Sequence, residues 1–472
     1  MTTTPRIVMK FGGTSVGTPE AMERTARHIA VESRWPVVVV SALGGVTNLL
    51  IDAAERAQRG EAYQSVFDEV IERHQKIVDV HGLDQGPLVE ELAHKLGRLL
   101  SGIEMLNELS PRTRDLLLSL GERMSVRLLA SMLRKMGLAA KGWDSWELGL
   151  LTDARYNKAC LLPESDPRIQ EAFKQFVKPG EIAIVTGFIG RTIDGEVTTL
   201  GRGGGDLSAA IFGATIGVEE IQIWTDVPGF LRADPRVVGS TSIIPHMRFE
   251  EAAELAYFGA KVLHPRTIEP ARRQGIPVRI LGTFQIDPEH PEEIYKNGTL
   301  IGVDAPPEPL RAIAARHDVD SLHIQSSRML EAPGFLSRVF TIFARHGISV
   351  DVIATSEVSI SMTLDKHDQG MHEAIQEISA FAEVEHAEER SILCLVGEGL
   401  KTDTTLLARV FEILSQHELP LHVISQGASQ INITLVTEPA FANIAMEVLH
   451  KEFFSGQDGA TTFSGIFPQL SK

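Results

Sequence analysis

Apolar positions up to about residue 300 follow two alternating patterns. Short, near-continuous runs rich in β-branched residues stand at "RIVM" (6–9), "VVVVSA" (37–42), "EIAIVTGFI" (181–189), "EIQIWTDV" (220–227) and "PVRIL" (277–281). Between them lie long amphipathic stretches, among them 62–80, 87–108 and 112–136. Runs with little polar alternation suit strands covered on both faces. Strands alternating with helices predict an α/β domain around a largely parallel sheet. The segment "DAPPEPL" (304–310) carries three prolines, which break helix and strand alike, and so predicts a boundary.

Beyond that boundary the pattern repeats. "RVFTIFARHGISVDVIATSEVSISMTL" (338–364) and "RVFEILSQHELPLHVISQGASQINITL" (409–435) align at a constant offset of 71 over 27 positions, with ten identities. Each copy reads as an amphipathic helix, a turn, a strand, a short turn and a second strand. Two related α/β modules of roughly 70–80 residues are expected, a plausible size for small domains. The strand-like "LRAIAAR" (310–316) and the tail after 460 hint at strands exchanged between them.

Composition narrows the classes. A length of 472 residues suggests two to four domains. Hydrophobic content of 43% and charged content of 23% are ordinary for a globular chain. A formal net charge of -17 argues against a nucleic-acid partner. No apolar run has the length of a membrane span, and the start "MTTTPRIVMK" has no apolar signal-peptide core. Two distant cysteines, Cys160 and Cys394, make neither a disulfide framework nor a zinc set. A cytoplasmic protein is the expectation.

The candidate chemistry lies in loops that follow predicted strands. "KFGGTSVG" (10–17) has paired glycines, but Lys10 precedes them, whereas the P-loop lysine follows its glycines. "TTLGRGGGDLSAA" (198–210) places four glycines around Arg202, and Asp206 then opens a helical run. Such a helix N-terminus attracts anions, and Arg202 suits a carboxylate or phosphate; a plain surface turn is the alternative. "SALGGVTN" (41–48) suggests a loop over phosphate or substrate, with helix capping by Thr47 an equal reading. "WTDVPGFLRADPR" (224–236) joins a turn to polar and basic groups. Ligands of open α/β sheets bind outside the carboxyl ends of the strands, so one composite site explains these loops better than four separate turns. Glu122 in "LSLGERMS" taken alone reads as a solvated helix glutamate, and Lys261 in "FGAKVLHP" reads either as a nucleotide-phosphate contact or as a snorkelling surface lysine.

In this order, "KFGGTSVG", "TTLGRGGGD", "WTDVPGF…DPR" and "FGAKVLHP" resemble the aspartate kinases of the amino-acid kinase fold, of the monofunctional, lysine-sensitive type. The C-terminal repeat resembles their paired ACT modules. The resemblance implies an amino-acid-kinase-like three-layer α/β domain with a largely parallel central sheet, followed by two ferredoxin-like α+β ACT modules. It places a catalytic domain at 1–303, with an N-terminal aspartate lobe and a C-terminal ATP lobe. A regulatory domain follows at 304–472, with modules at about 318–392 and 393–472, interleaving left open. The implied reaction turns ATP and L-aspartate into 4-phospho-L-aspartate and ADP, with Mg²⁺ at the phosphates. It is the first step toward lysine, threonine and methionine.

By the same resemblance, Lys10 and Asp206 are catalytic. Lys10, Gly12, Gly13, Thr14, Ser15, Thr225, Asp226, Arg236 and Lys261 meet ATP, and Ser41, Thr47, Glu122 and Arg202 meet aspartate. Met329, Ser349, Val350, Asp351, Thr355, Ser356 and Glu357 meet an effector, lysine first and threonine second. No protein metal ligand is assigned. Pairing of ACT modules implies a homodimer or a dimer of dimers. Gly205 stands where the family often has serine, and Leu231 where close relatives often have tyrosine. Glu331 and Ala332 replace a customary His and Ser. The competing readings are a related kinase acting on glutamate, N-acetylglutamate, a nucleotide or carbamate, and a non-catalytic amino-acid sensor.

Overall fold

The computed structural model describes residues 6–84, 86–258, 262–326, 329, 333–366, 370–427, 431–455 and 462–464. The chain divides into two compact units. The first comprises Met1–Phe230, Pro245–Phe249 and Val262–Ala305; the second comprises Leu231–Ile244, Glu250–Lys261 and Pro306–Lys472.

The first unit is built on an eight-stranded sheet in the order Ala140–Trp143, Ile182–Thr186, Pro36–Val40, Ile7–Phe11, Glu220–Thr225, Val278–Gly282, Thr299–Gly302 and His246–Arg248. The first six strands pair in parallel, and Thr299–Gly302 runs antiparallel to Val278–Gly282. The apolar runs explain this directly: every residue of Pro36–Val40, Ile182–Thr186 and Val278–Gly282 is buried. Burying one Val or Ile side chain is worth about 1.5–3 kcal/mol. Lys10 alone interrupts the buried pattern of Ile7–Phe11, opposite Val39 and Ile223 on the neighbouring strands. A cation there requires a partner.

The predicted amphipathic stretches form helices Gln64–His81, Gly86–Leu106 and Pro111–Lys135. The last is capped by Ser110, whose hydroxyl accepts from the Thr113 N–H at 3.2 Å, and it carries Pro at its first position. The single strand expected at 181–189 is broken. Gly187 and Phe188 intervene, Phe188 has φ of 67°, and Ile189–Arg191 turns away to pair with Val197–Thr199.

In the second unit a six-stranded antiparallel sheet runs Val350–Thr355, Ser359–Asp365, Ala312–Gln325, Glu383–Val396, Asn432–Thr437, Val423–Ser425. Helices Phe335–Arg345 and Thr404–Gln416 begin the two copies of the repeat. Both long strands serve both modules. One core gathers Leu322, Val339, Phe343, Met362 and Ile378; the other gathers Ile313, Leu393, Val410, Leu435 and Leu449. The chain therefore lays the first strand of the second module, builds the whole first module, and returns. The seam is marked on each long strand by a left-handed residue, Asp318 (φ 60°) and Glu389 (φ 58°), where the register shifts. Near the C-terminus, Thr462–Ser464 pairs with Ser240–Ser242.

Candidate active site

At the carboxyl ends of the parallel strands lies a cleft of about 590 Å³. Its walls include Lys10, Ser41, Thr47, Arg114, Leu118, Glu122, Asn157, Phe188, Thr199, Arg202 and Asp206, with Gly201, Gly203, Gly204 and Gly205 between them. Lys10 Nζ stands 2.7 Å from Asp206 Oδ1, with both side chains largely buried. That oxygen makes no aligned hydrogen bond, so the contact is chiefly electrostatic. Asp206 lies in the first turn of helix Gly204–Ile216, where a carboxylate is also favoured by the helix dipole.

The glycines bring the loops close. A Cβ on Gly13 would sit 2.9 Å from Ala42 O, so "KFGG" and "SALGG" can touch only without a side chain there. Gly203, with φ of 72°, caps helix Gly204–Ile216, and a Cβ would meet His264 and Thr267 at 2.9 Å. A Cβ on Gly205 would lie 3.0 Å from Ser41 Oγ and 3.2 Å from Lys10 Cε. The departure at 205 thus leaves room around the lysine stem. Thr47 is not the helix cap that its position allowed. Gly45 takes that place with φ of 81°, and Thr47 stands inside Val46–Arg59 with its side chain free to line the cleft.

Helix Pro111–Lys135 supplies one wall through Arg114, Leu118 and Glu122, spaced by four residues on one face. Glu122 is not a solvated helix glutamate: it is 3% exposed, and its Oε2 has no hydrogen-bond partner. Burial pushes its carboxyl up to about 8, against a backbone hydrogen bond from Ala42. Behind the wall, fully buried Asp115 accepts from the Asn157 N–H at 3.0 Å, the Thr199 N–H at 2.9 Å and Thr199 Oγ1 at 2.8 Å. Burial raises the Asp115 carboxyl above its ordinary value, and these donors oppose the rise. Asp115 thereby fastens two cleft loops to the helix. Asn157 (φ 67°) and Phe188 (φ 67°) hold left-handed backbones at the cleft, a strain such sites often store. His264, beside Gly203, is held below the usual imidazole range by burial first, then by the charges of Arg266 and Arg202.

The glycine loop after Lys10 is tied to its neighbours. The Gly12 N–H donates to Trp224 O at 3.1 Å. Thr14 stands half-buried in the short helix Gly13–Val16. Ser15 is fully buried, and its hydroxyl lies 2.7 Å from that of Thr283. Thr225 ends its strand and donates to Asp226 Oδ1 at 3.1 Å. Arg236 belongs to the second unit, where it is clamped on Asp234, Nε to Oδ1 at 3.0 Å. Leu231 bridges to Ile243 in that unit. Lys261, Glu331 and Ala332 lie outside the described residues. A larger groove of about 760 Å³ on the first unit, around Cys160, Gln170, Thr215 and Arg273, holds none of the expected residues.

Of the effector positions, Ser349, Thr355, Ser356 and Glu357 are exposed, and Val350 and Met329 are half-buried. Asp351 is engaged on both oxygens. Tyr257 donates its hydroxyl to one, and Arg316 Nη1 donates to the other at 2.9 Å. Burial raises its carboxyl above the ordinary value, and these two neighbours counter that. Sequence reasoning missed Arg114, Leu118, Asn157, Phe188 and Thr199 in the cleft, Asp115 behind its wall, and Tyr257 and Arg316 beside Asp351. Arg114 had a signal, its place two helical turns before Glu122 on one face.

Comparison with known proteins agrees over almost the whole chain. The amino acid kinase family profile matches residues 5–282, and the ACT domain profile matches 322–380 and 393–453. Aspartokinase 1, chloroplastic, of Arabidopsis thaliana is 38% identical over 468 residues, covering 96% of this chain and 80% of its own. Lysine-sensitive aspartokinase 3 of Escherichia coli strain K12 is 35% identical over 470 residues, covering 95% of this chain and 99% of its own. The solved structure of E. coli aspartokinase III with aspartate and ADP, in the R-state, superposes with a TM-score of 0.79 at 33% identity, over 95% of this chain and 100% of that one. Its T-state form, in complex with lysine and aspartate, gives 0.76 at 33% identity, over 95% of this chain and 99% of that one. An amino-acid kinase fold with a mostly parallel sheet, ACT domains after it and relatives of this kind leave one conclusion: the chain belongs to the aspartokinase family and is an aspartate kinase.

Proposed function

We propose that the cleft beside Lys10 is where L-aspartate receives the γ-phosphoryl group of ATP. The observation that carries this reading is the convergence on one cleft of the Lys10–Asp206 pair, a buried Glu122 with an unpartnered oxygen, and Arg202. The attacking group is the substrate's own side-chain carboxylate, with an ordinary pKa of about 3.9, so it needs no general base. Catalysis then rests on position and on neutralising the moving charge. Lys10 brings its ammonium to the transferring phosphoryl group, and Asp206 orients Lys10 rather than taking a proton. Glu122 receives the substrate ammonium. Arg202 takes the α-carboxylate with two parallel hydrogen bonds. Ser41 and Thr47 add hydroxyl contacts.

Gly12, Gly13 and Thr14 face the phosphates, and Thr225 and Asp226 the nucleotide. Ser15 acts by fastening this loop to Thr283. ATP use follows from the family, and the E. coli structure holds ADP. Mg²⁺ bound to the nucleotide would supply further positive charge. Among the described residues no group of three or more His, Cys, Asp or Glu is placed to hold a metal ion. Asp206, the carboxylate beside Lys10, offers the oxygen donor that a hard cation carried by the phosphates takes.

The enzyme opens the route to lysine, threonine and methionine, and lysine inhibits it through the first ACT module. Supporting this are the Ser349–Glu357 loop and the lysine complex of the E. coli relative. The effector ammonium would take the place of Arg316 on Asp351. In the second repeat Pro420, His422 and Gln426 stand where Ser349, Asp351 and Thr355 do, so one module binds the effector. Inhibition then measures the difference in lysine affinity between active and inactive states. Symmetric pairing of ACT modules makes a homodimer or a dimer of dimers. Among the described residues no helix is long and apolar enough to cross a membrane, and we place the enzyme in the cytoplasm.

Trapping the acyl phosphate with hydroxylamine tests these points together. Hydroxamate should form with ATP and aspartate, not with glutamate, and should fall as lysine is raised to millimolar levels. Preference for glutamate would refute the substrate assignment, and indifference to lysine would refute the regulatory one.

A further inference from the structure

The strand Val278–Gly282 ends in a turn, Thr283–Ile286, none of whose residues lines the cleft. The turn nevertheless bonds to two of the loops described above. On one side the Thr283 N–H donates to Thr225 O at 2.9 Å, and Gln285 Nε2 donates to Asp226 O at 3.2 Å. On the other side the Thr283 hydroxyl lies 2.7 Å from that of Ser15, in the glycine loop after Lys10. Thr283–Ile286 is therefore the piece that joins the phosphate loop to the nucleotide loop.

Helix Pro19–Val31 holds this piece in place. Its start is fixed by Thr18, whose hydroxyl accepts from the Ala21 N–H at 3.2 Å. Arg24, Thr25 and His28, spaced by three and four residues, share one face of it. Arg24 Nε donates to Thr283 O at 2.8 Å, and its Nη2 donates to Phe284 O at 3.3 Å and Ile286 O at 2.7 Å. One planar guanidinium thus spans three carbonyls of a four-residue turn, which a point charge on a flexible stem cannot do. His28 Nε2 donates to Thr283 O at 3.1 Å. Burial holds that imidazole down to about 4, so it is neutral at pH 7, and its ring lies 4.3 Å from that of Trp224. The Thr25 hydroxyl donates to Ser15 O at 2.6 Å, so the same helix grips the phosphate loop as well as the turn. Ser15, Thr25, His28, Thr283 and Ile286 are all buried, so water does not replace bonds lost here. Without Arg24 the Ile286 carbonyl loses its donor, and the turn gains by shifting toward solvent.

We propose that Arg24 is a positioning residue for ATP: by bracketing Thr283–Ile286 it sets the spacing between the phosphate loop and the nucleotide loop. This rests on the reading of those loops given above. The test is steady-state kinetics of the full chain with each substrate varied in turn. In Arg24→Ala the KM for ATP should rise at least about tenfold, the scale of one lost charge-assisted hydrogen bond. The KM for aspartate should change by less than about twofold, because Ser41, Thr47, Glu122 and Arg202 stand on other elements. A lower melting temperature with the KM for ATP unchanged, or both KM values raised together, would make Arg24 a general brace and overturn the proposal. Arg24→Lys keeps the charge without the fork, so the KM for ATP should stay at least about threefold raised. Full restoration would make the charge the agent and overturn the bracket. Ser15→Ala cuts the same route at Thr283, so its effect on the KM for ATP and that of Arg24→Ala should multiply to less than their product in the double variant. A full product would overturn the route through the turn. Thr14→Ala, within the phosphate loop, must raise the KM for ATP whatever Arg24 does. If it does not, the reading of that loop fails, separately from the role of Arg24.

Discussion

With Glu122 receiving the substrate ammonium, as proposed above, aspartate binding is coupled to loss of the Glu122 proton. Its carboxyl is buried, one oxygen lacks a partner, and burial raises its pKa from 4.5 to about 8. At pH 7 such a group is ionised about a tenth of the time. An incoming substrate ammonium needs the ionised form, so the apparent Kd is the intrinsic value divided by about 0.1. Raising the pH to 8.5 lifts the ionised fraction to about three quarters, and the Kd for aspartate should fall about eightfold. Titration calorimetry with a non-hydrolysable ATP analogue, run in buffers of different ionisation enthalpy, counts the protons. About 0.9 should leave per aspartate bound at pH 7 and about 0.25 at pH 8.5. Glu122→Gln should bind aspartate about 10–100-fold more weakly and release no proton. The free enzyme supplies a second reading. Because the folded pKa lies above the unfolded value, this group's contribution to stability is complete below about 4.5 and is lost as pH rises through about 8. The melting temperature should therefore decline across that window in the wild type and less in Glu122→Gln. Binding with no proton release, and a flat Kd between pH 7 and 8.5, would refute the reasoning.

Other consequences concern the loops and the regulatory unit. Asp115→Ala strips acceptors from two buried N–H groups and one hydroxyl. It should cost about 2–3 kcal/mol in chemical denaturation, and an unchanged midpoint would contradict the anchoring role. Gly13→Ala forces a Cβ to 2.9 Å from Ala42 O and 3.3 Å from Gly44, both rigid backbone. Overpacking of about 1–3 kcal/mol should appear as a raised KM for ATP, and normal kinetics would show that the two loops need not touch. Asp351→Ala should raise the lysine concentration for half-inhibition at least about tenfold, since a buried charge partner is lost. An unaltered inhibition curve would place the effector elsewhere.

Much of the fold was legible because the parallel strands are unbroken apolar runs and the long helices are strongly amphipathic. The 71-residue repeat likewise exposed the two modules. The short strands Ala140–Trp143, His246–Arg248 and Thr299–Gly302 were not legible. Three or four residues cannot show a period, and their pairing is set by neighbours distant in sequence. In the cleft, glycines and charged residues clustered in sequence announced themselves, as in "KFGGTSVG" and "GRGGGD". Groups brought in from single positions did not. Asn157 and Phe188 act through backbone geometry, which leaves no mark on residue type. Asp351 was readable as a polar candidate, but its partners Tyr257 and Arg316 lie 94 and 35 residues away. Only tertiary structure brings them together.

The central claim is that Lys10 meets the transferring phosphoryl group, and its removal tests this most directly. Aspartyl hydroxamate formation should be measured for the wild type and Lys10→Ala at saturating ATP and aspartate, with folding verified by melting temperature. The account predicts a kcat at least about 100-fold lower in the variant, as for loss of a preorganised charge at the reacting group. Turnover equal to that of the wild type would contradict it.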